Sequence, residues 1–148
     1  MRHLLIAAAI GLAFLPADVS ACQQFPSVYF WAGSSEVHAS GRATLADFAL
    51  QVLHMSDRIA RIRIVGHSDR TGSAAARQRI SIQRALVVQE VLLTFGVPRA
   101  LLIAGGVADA HPLMSTADNV REPTNRRVEL HVDLHQAAPP ERGPPPTC

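Results

Sequence analysis

A chain of 148 residues suffices for one domain, and 48% apolar residues suit a globular core. The formal net charge is only +2 and the basic residues are scattered, which argues against a dedicated nucleic-acid binder. All 14 basic residues are arginine, a fork-shaped and permanently charged group suited to carboxylates and phosphates.

Residues 1–21 read as an export signal. Arg2 and His3 precede an apolar run at 4–15, too short to span a bilayer comfortably, and small residues follow up to Ala21. The segment "VSAC" at 19–22 also resembles a bacterial lipobox, which would make Cys22 a lipidation site; plain cleavage after Ala21 is the other reading. Cys148 is the remaining cysteine, and spacing does not decide whether Cys22 and Cys148 form a disulfide. Residues 22–26 are a short linker.

The domain is expected over 27–134. "SVYFWAG" at 27–33 predicts a first strand ending at Gly33. Leu45, Phe48, Ala49, Val52 and Leu53 recur at helical spacing, with Ser40 as N-cap. "ARIRIV" at 60–65 alternates, so Ile62 and Ile64 face one way and Arg61 and Arg63 the other. Residues 73–95 predict a second helix with Val88, Val91, Leu92 and Phe95 on its apolar face, stopped by Gly96 and Pro98. A third strand is expected over 100–106, then a long connection, then a strand at 126–134 with Val128, Leu130, Val132 and Leu134 on one face. The tail at 135–148 is proline-rich and expected to be disordered. The order β-α-β-α-β-β implies an α/β fold of α+β sandwich type, a small mixed sheet with helices on one face.

The second strand runs into "GHSDRTG" at 66–72. As a local feature, Asp69 reads as a turn or N-cap residue and Arg84 as an exposed helix arginine. A hydrolase built on Ser68, His67 and Asp69 is set aside, because adjacent strand residues point to opposite faces and nothing resembles a nucleophile elbow. His131, Asp133 and His135 could share a face as metal ligands, but read as a polar outer stripe; no metal and no cofactor are expected.

Five blocks in order change this reading. "VYFWAGSSEV" (28–37), "IRIVGHSDRTGS" (62–73), "RISIQRA" (79–85), "FGVPRALLIAGGVADAHP" (95–112) and "NRRVEL" (125–130) together resemble the OmpA-like domain, also called the OmpA/MotB C-terminal domain. The resemblance implies a non-enzymatic domain that binds peptidoglycan in the periplasm of a Gram-negative cell envelope, at the outer membrane. It also implies the ligand, the diaminopimelate residue of the stem peptide, with Asp69 and Arg84 as the matching site residues. With Cys22 lipidated, the chain would resemble a small peptidoglycan-associated lipoprotein, its partners being peptidoglycan, a lipid anchor and envelope proteins. The pairing makes chemical sense: an amino-acid end carries an ammonium for Asp69 and a carboxylate for Arg84 to grip in bidentate fashion.

The chain departs from the family pattern in three places. Arg77 stands where the family usually has Asn. It shares a helix face with Ser81 and Arg84, so it would either strengthen capture of a carboxylate or repel the ammonium. Trp31-Ala32-Gly33 replaces a polar first loop, and Trp31 is read as packing on the protein, with stacking on sugar as the alternative. Third, only about five residues separate Cys22 from the first strand, a reach of ~17 Å. The departures at Arg77 and the first loop motivate an alternative: a divergent interaction module that has lost peptidoglycan binding.

Overall fold

The computed structural model describes residues 26–135. The export segment, Cys22, the short linker except its last residue Pro26, the tail from 136 and Cys148 lie outside the described residues. Four strands and two helices follow in the order β1 (Ser27–Tyr29), α1 (Ala39–His54), β2 (Ile59–Gly66), α2 (Ala74–Thr94), β3 (Leu102–Gly106) and β4 (Arg127–Leu134). The sheet order is β1-β4-β2-β3, with β2 and β3 parallel and β4 antiparallel to both of its neighbours. The fold is α+β with a mixed open sheet. No helix among the described residues is long and apolar enough to cross a membrane.

The alternation in β2 sorts as its pattern dictates. Ile62 and Ile64 are fully buried against the helices, while Arg61 and Arg63 lie on the open face and share Asp133 of β4 at 3.3 and 3.1 Å. Val128 and Leu130 of β4 enter the same core, but Val132 is half-buried and Leu134 exposed as the strand leaves the helices. In α1, Leu45, Phe48, Ala49 and Val52 are buried, whereas Leu53 lies outside the stripe.

Several boundaries differ from expectation for local reasons. β1 stops at Tyr29 because the chain turns there: Ser34 N–H donates to the Trp31 carbonyl at 3.2 Å and Gly33 takes φ +67°. Helix α1 starts two residues early, with His38 as N-cap and Ser40 inside the first turn. A tight turn at Arg99–Leu101 follows Pro98 and delays β3 to Leu102. Arg126 leaves extended geometry at the end of another tight turn, Pro123–Asn125, so β4 begins at Arg127.

Helix α2 crosses the sheet where Gly66 of β2 lies beside Gly106 of β3. A Cβ on Gly66 would fall on the Ser81 carbonyl oxygen, and one on Gly106 on the Ser81 hydroxyl. The first glycine of "GHSD" thus permits close helix approach, whereas Gly72, at φ +79°, makes the turn. Gly66→Ala and Gly106→Ala should each cost about 2–3 kcal/mol in urea unfolding through overpacking. Gly105→Ala, whose Cβ would meet nothing within 4 Å, should stay within about 0.5 kcal/mol of wild type.

Candidate functional site

The strand β2 does not release the chain at Gly66. His67 N–H donates to the Arg127 carbonyl at 2.8 Å and Ser68 N–H to the Ala108 carbonyl at 2.9 Å, so the sheet carries the motif two residues further. Asp69 follows at the mouth. The helix cap is Ser73, whose hydroxyl accepts from Ala76 N–H at 3.2 Å. Asp69 is therefore not the N-cap, and its carboxylate is spent elsewhere.

Asp69 is 4% exposed. Its Oδ1 accepts from the Thr71 hydroxyl at 2.6 Å and from Thr71 N–H at 3.4 Å. Its Oδ2 accepts from Arg126 Nη1 at 3.0 Å and from Glu122 N–H at 3.4 Å. Burial alone would raise its pKa, but the bonds from Thr71 and Arg126 outweigh it and hold the carboxyl below its ordinary value.

Arg84 is buried to 1% exposure, not a solvated helix arginine. Its Nε donates to the Ser34 carbonyl at 2.9 Å, Nη1 to the His67 carbonyl at 3.0 Å and Nη2 to the Trp31 carbonyl at 3.2 Å. The guanidinium also lies 5.3 Å from the centre of the Phe30 ring. Burial lowers its pKa to about 10; Asp69 pulls upward and Arg126 downward, so the group is charged at neutral pH.

Asp69 and Arg84 line one cleft of about 210 Å³, together with Gly33, Ser68, Thr71, Ala76, Arg77, Arg79, Ile80 and Gln83. The structure thus brings together all three residues singled out from the sequence. It also gives Arg77 two partners within the protein. Its Nε pairs with Asp109 at 2.8 Å and Nη1 donates to the Gly72 carbonyl at 2.7 Å. Arg70 leans on Asp109 too, at 3.4 Å, and on Asp118 at 2.6 Å. Arg77 is a counter-charged post at the rim rather than a bare cation.

The partners invisible in the sequence are those of "NRR". Asn125 clamps Met114 through both backbone groups, at 2.9 and 2.7 Å. Arg126 joins Asp69 to the Phe30 carbonyl. Arg127 pairs with Glu129 at 2.6 Å and reaches the His111 carbonyl at 3.1 Å. All three side chains are buried. Their signal was the block itself, but pairing across 57 residues leaves no local trace.

Trp31 does not pack inward: it is 66% exposed, with its ring against His38. The stripe His131, Asp133, His135 is not assembled as a metal centre. Asp133 is engaged by Arg61 and Arg63 and His131 by Glu129, and among the described residues no group of three ligands could hold an ion.

The model described as "OmpA family" matches residues 29–126. Outer membrane protein A of Shimwellia blattae is 31% identical over 114 residues, covering 71% of this chain and 47% of that protein. An outer membrane protein of Gluconacetobacter diazotrophicus is 32% identical over 109 residues, covering 70% of this chain and 28% of its own length. The chain thus spans half or less of the curated relatives it matches. Among solved structures, the peptidoglycan-associated lipoprotein of Burkholderia pseudomallei is 27% identical with a TM-score of 0.66, covering 72% of this chain and 89% of that one. The C-terminal domain of Helicobacter pylori MotB, at 21% identity, shares the fold with a TM-score of 0.65, covering 75% and 86%.

His67 generates a pH expectation. Burial first, then Arg127, lowers its pKa to about 4, with Glu129 opposing. It is neutral at pH 7, so its 3.6 Å approach to Glu129 is not an ion pair there. A histidine with a lowered folded pKa binds its proton better in the unfolded chain. Its penalty is absent above the ordinary value and grows as pH falls from 6.5 towards about 4. Between about pH 7 and pH 4.5, thermal melts should lose roughly 1–2 kcal/mol that a His67→Gln variant does not lose. Parallel losses in both proteins would remove this role of His67.

Proposed function

The chain belongs to the OmpA family, and from that premise we propose that its domain binds peptidoglycan non-covalently in the cell envelope, gripping the diaminopimelate of the stem peptide between Asp69 and Arg84. The observation that carries the reading is that two opposite charges, 15 residues apart on different elements, are held at one open cleft. In the proposed bound state the ligand ammonium displaces the Thr71 hydroxyl from Asp69 Oδ1, while Arg126 keeps Oδ2 fixed. The ligand carboxylate takes the second N–H of Arg84 Nη1 and of Nη2. The Ser68 hydroxyl, buried without a partner among the described residues, is a further donor at the cleft wall. Two or three charge-assisted bonds, each roughly 1.5–3 kcal/mol, fit reversible binding near micromolar. With the Asp69 pKa held low and that of Arg84 near 10, the charge states needed persist across neutral pH.

A second reading has its own support. Both Asp69 oxygens and all three Arg84 nitrogens are already bonded within the protein. That suits a scaffold that has become an interaction module. The envelope location, the domain limits at 27–134 and a lipid anchor at Cys22 belong to the same proposal.

Co-sedimentation separates the readings. Wild type should pellet with diaminopimelate-type cell wall, and Asp69→Asn and Arg84→Gln should retain about tenfold less, with far-UV spectra confirming that both fold. Equal retention of all three would remove the clamp. A folded wild type that stays in the supernatant would favour the interaction module. Intact mass of the exported protein tests the anchor: a diacylglyceryl addition at Cys22 is expected, and a plain cleaved mass would refute it.

A further inference from the structure

A second cleft, roomier than the one at Asp69 and Arg84, is built around the start of the first loop. It holds about 360 Å³, its walls are mostly apolar, and Tyr29, Trp31, His38, Pro123 and Arg126 are among its lining. Trp31 and Tyr29 are 66% and 51% exposed, which burial would ordinarily have avoided. Yet Trp31 is not loose. Its carbonyl accepts from buried Arg84 and from Ser34 N–H, both at 3.2 Å. Its ring stands edge-on to His38, centroids 5.3 Å apart at 64°. An exposed indole fixed at backbone and ring is a preorganised platform.

We propose that this cleft is a sugar subsite that takes an N-acetylated hexosamine of the glycan strand, stacked on Trp31 with Tyr29 beside it. A pyranose offers a face of C–H groups to an aromatic ring while its hydroxyls remain in water, which suits apolar walls with Ser40 and Thr124 at the cleft. The choice of occupant rests on the peptidoglycan reading and on continuity. Arg126 lines this cleft and bonds Asp69, which lines the other, at 3.0 Å. Trp31 lines this cleft and Gly33, two residues on, lines the other. A sugar and the stem peptide joined to it would lie across that step.

Trp31 is the sole tryptophan, so its emission reports on this cleft directly. Titrating the intact purified protein with the β-1,4-linked trimer of N-acetylglucosamine should shift or quench the emission saturably, and Tyr29→Ala should weaken the response about fivefold. In calorimetry, Tyr29→Ala should lower affinity for a disaccharide-bearing stem peptide about fivefold, while affinity for the sugar-free peptide stays within about twofold. A folded protein with no emission change towards the trimer would overturn the proposal. So would a response to a proline-rich peptide of similar size in place of the sugar. If the trimer binds and the sugar-free peptide does not, the sugar subsite stands and the diaminopimelate clamp falls.

Discussion

The burial of the Arg84 guanidinium constrains everything near the cleft. A charge removed from water is costly unless each N–H finds a partner, and here the partners are backbone carbonyls of Trp31, Ser34 and His67. Those carbonyls belong to the loop after β1 and to the end of β2, while Arg84 itself rides on α2. One side chain therefore fixes three segments. A planar fork can meet three carbonyls in fixed directions, whereas the compact ammonium of lysine could not. Arg126 repeats the device, donating to the Phe30 carbonyl and to Asp69. The site's anion and cation are thus set in place by the same loop.

That arrangement needs α2 close to the sheet, and the glycines supply the approach. Gly66 and Gly106 sit under Ser81, three residues before Arg84. The Ser81 hydroxyl accepts from Ala108 N–H at 3.1 Å, tying the loop after β3 to the helix. The same loop carries Asp109, which holds Arg77 and Arg70 at the rim. Close packing at the glycines is in this sense the first step in building the cleft.

Much of this was legible in the sequence because it is periodic or local. The β2 alternation, the α1 stripe and the lower half of α2 follow from spacing alone. The upper half of α2 does not, because its buried stripe turns polar: Ser81 and Arg84 continue the line of Ala85, Val88 and Leu92. A pattern rule that seeks apolar residues reads such positions as solvent. Asp69 and Arg84 could be named only through resemblance, and their partners not at all. Arg126 is 57 residues from Asp69 and 96 from the Phe30 carbonyl. Trp31 misled in the opposite direction: an aromatic residue after a strand suggests core, yet the turn at Gly33 faces its ring outward.

As proposed, Asp69 and Arg84 form a held pair that exchanges internal bonds for those of a ligand. The most direct measurement is a proton–nitrogen NMR titration that follows the Thr71 backbone amide and the Arg84 Nε–H. Tripeptides with diaminopimelate or lysine at the third position differ by one carboxylate, which a site built to bond it should distinguish strongly. Saturable shifts of both signals are expected with the diaminopimelate peptide, and of neither, at the same concentration, with the lysine peptide. Unmoved signals with both peptides, or equal shifts with both, would contradict it.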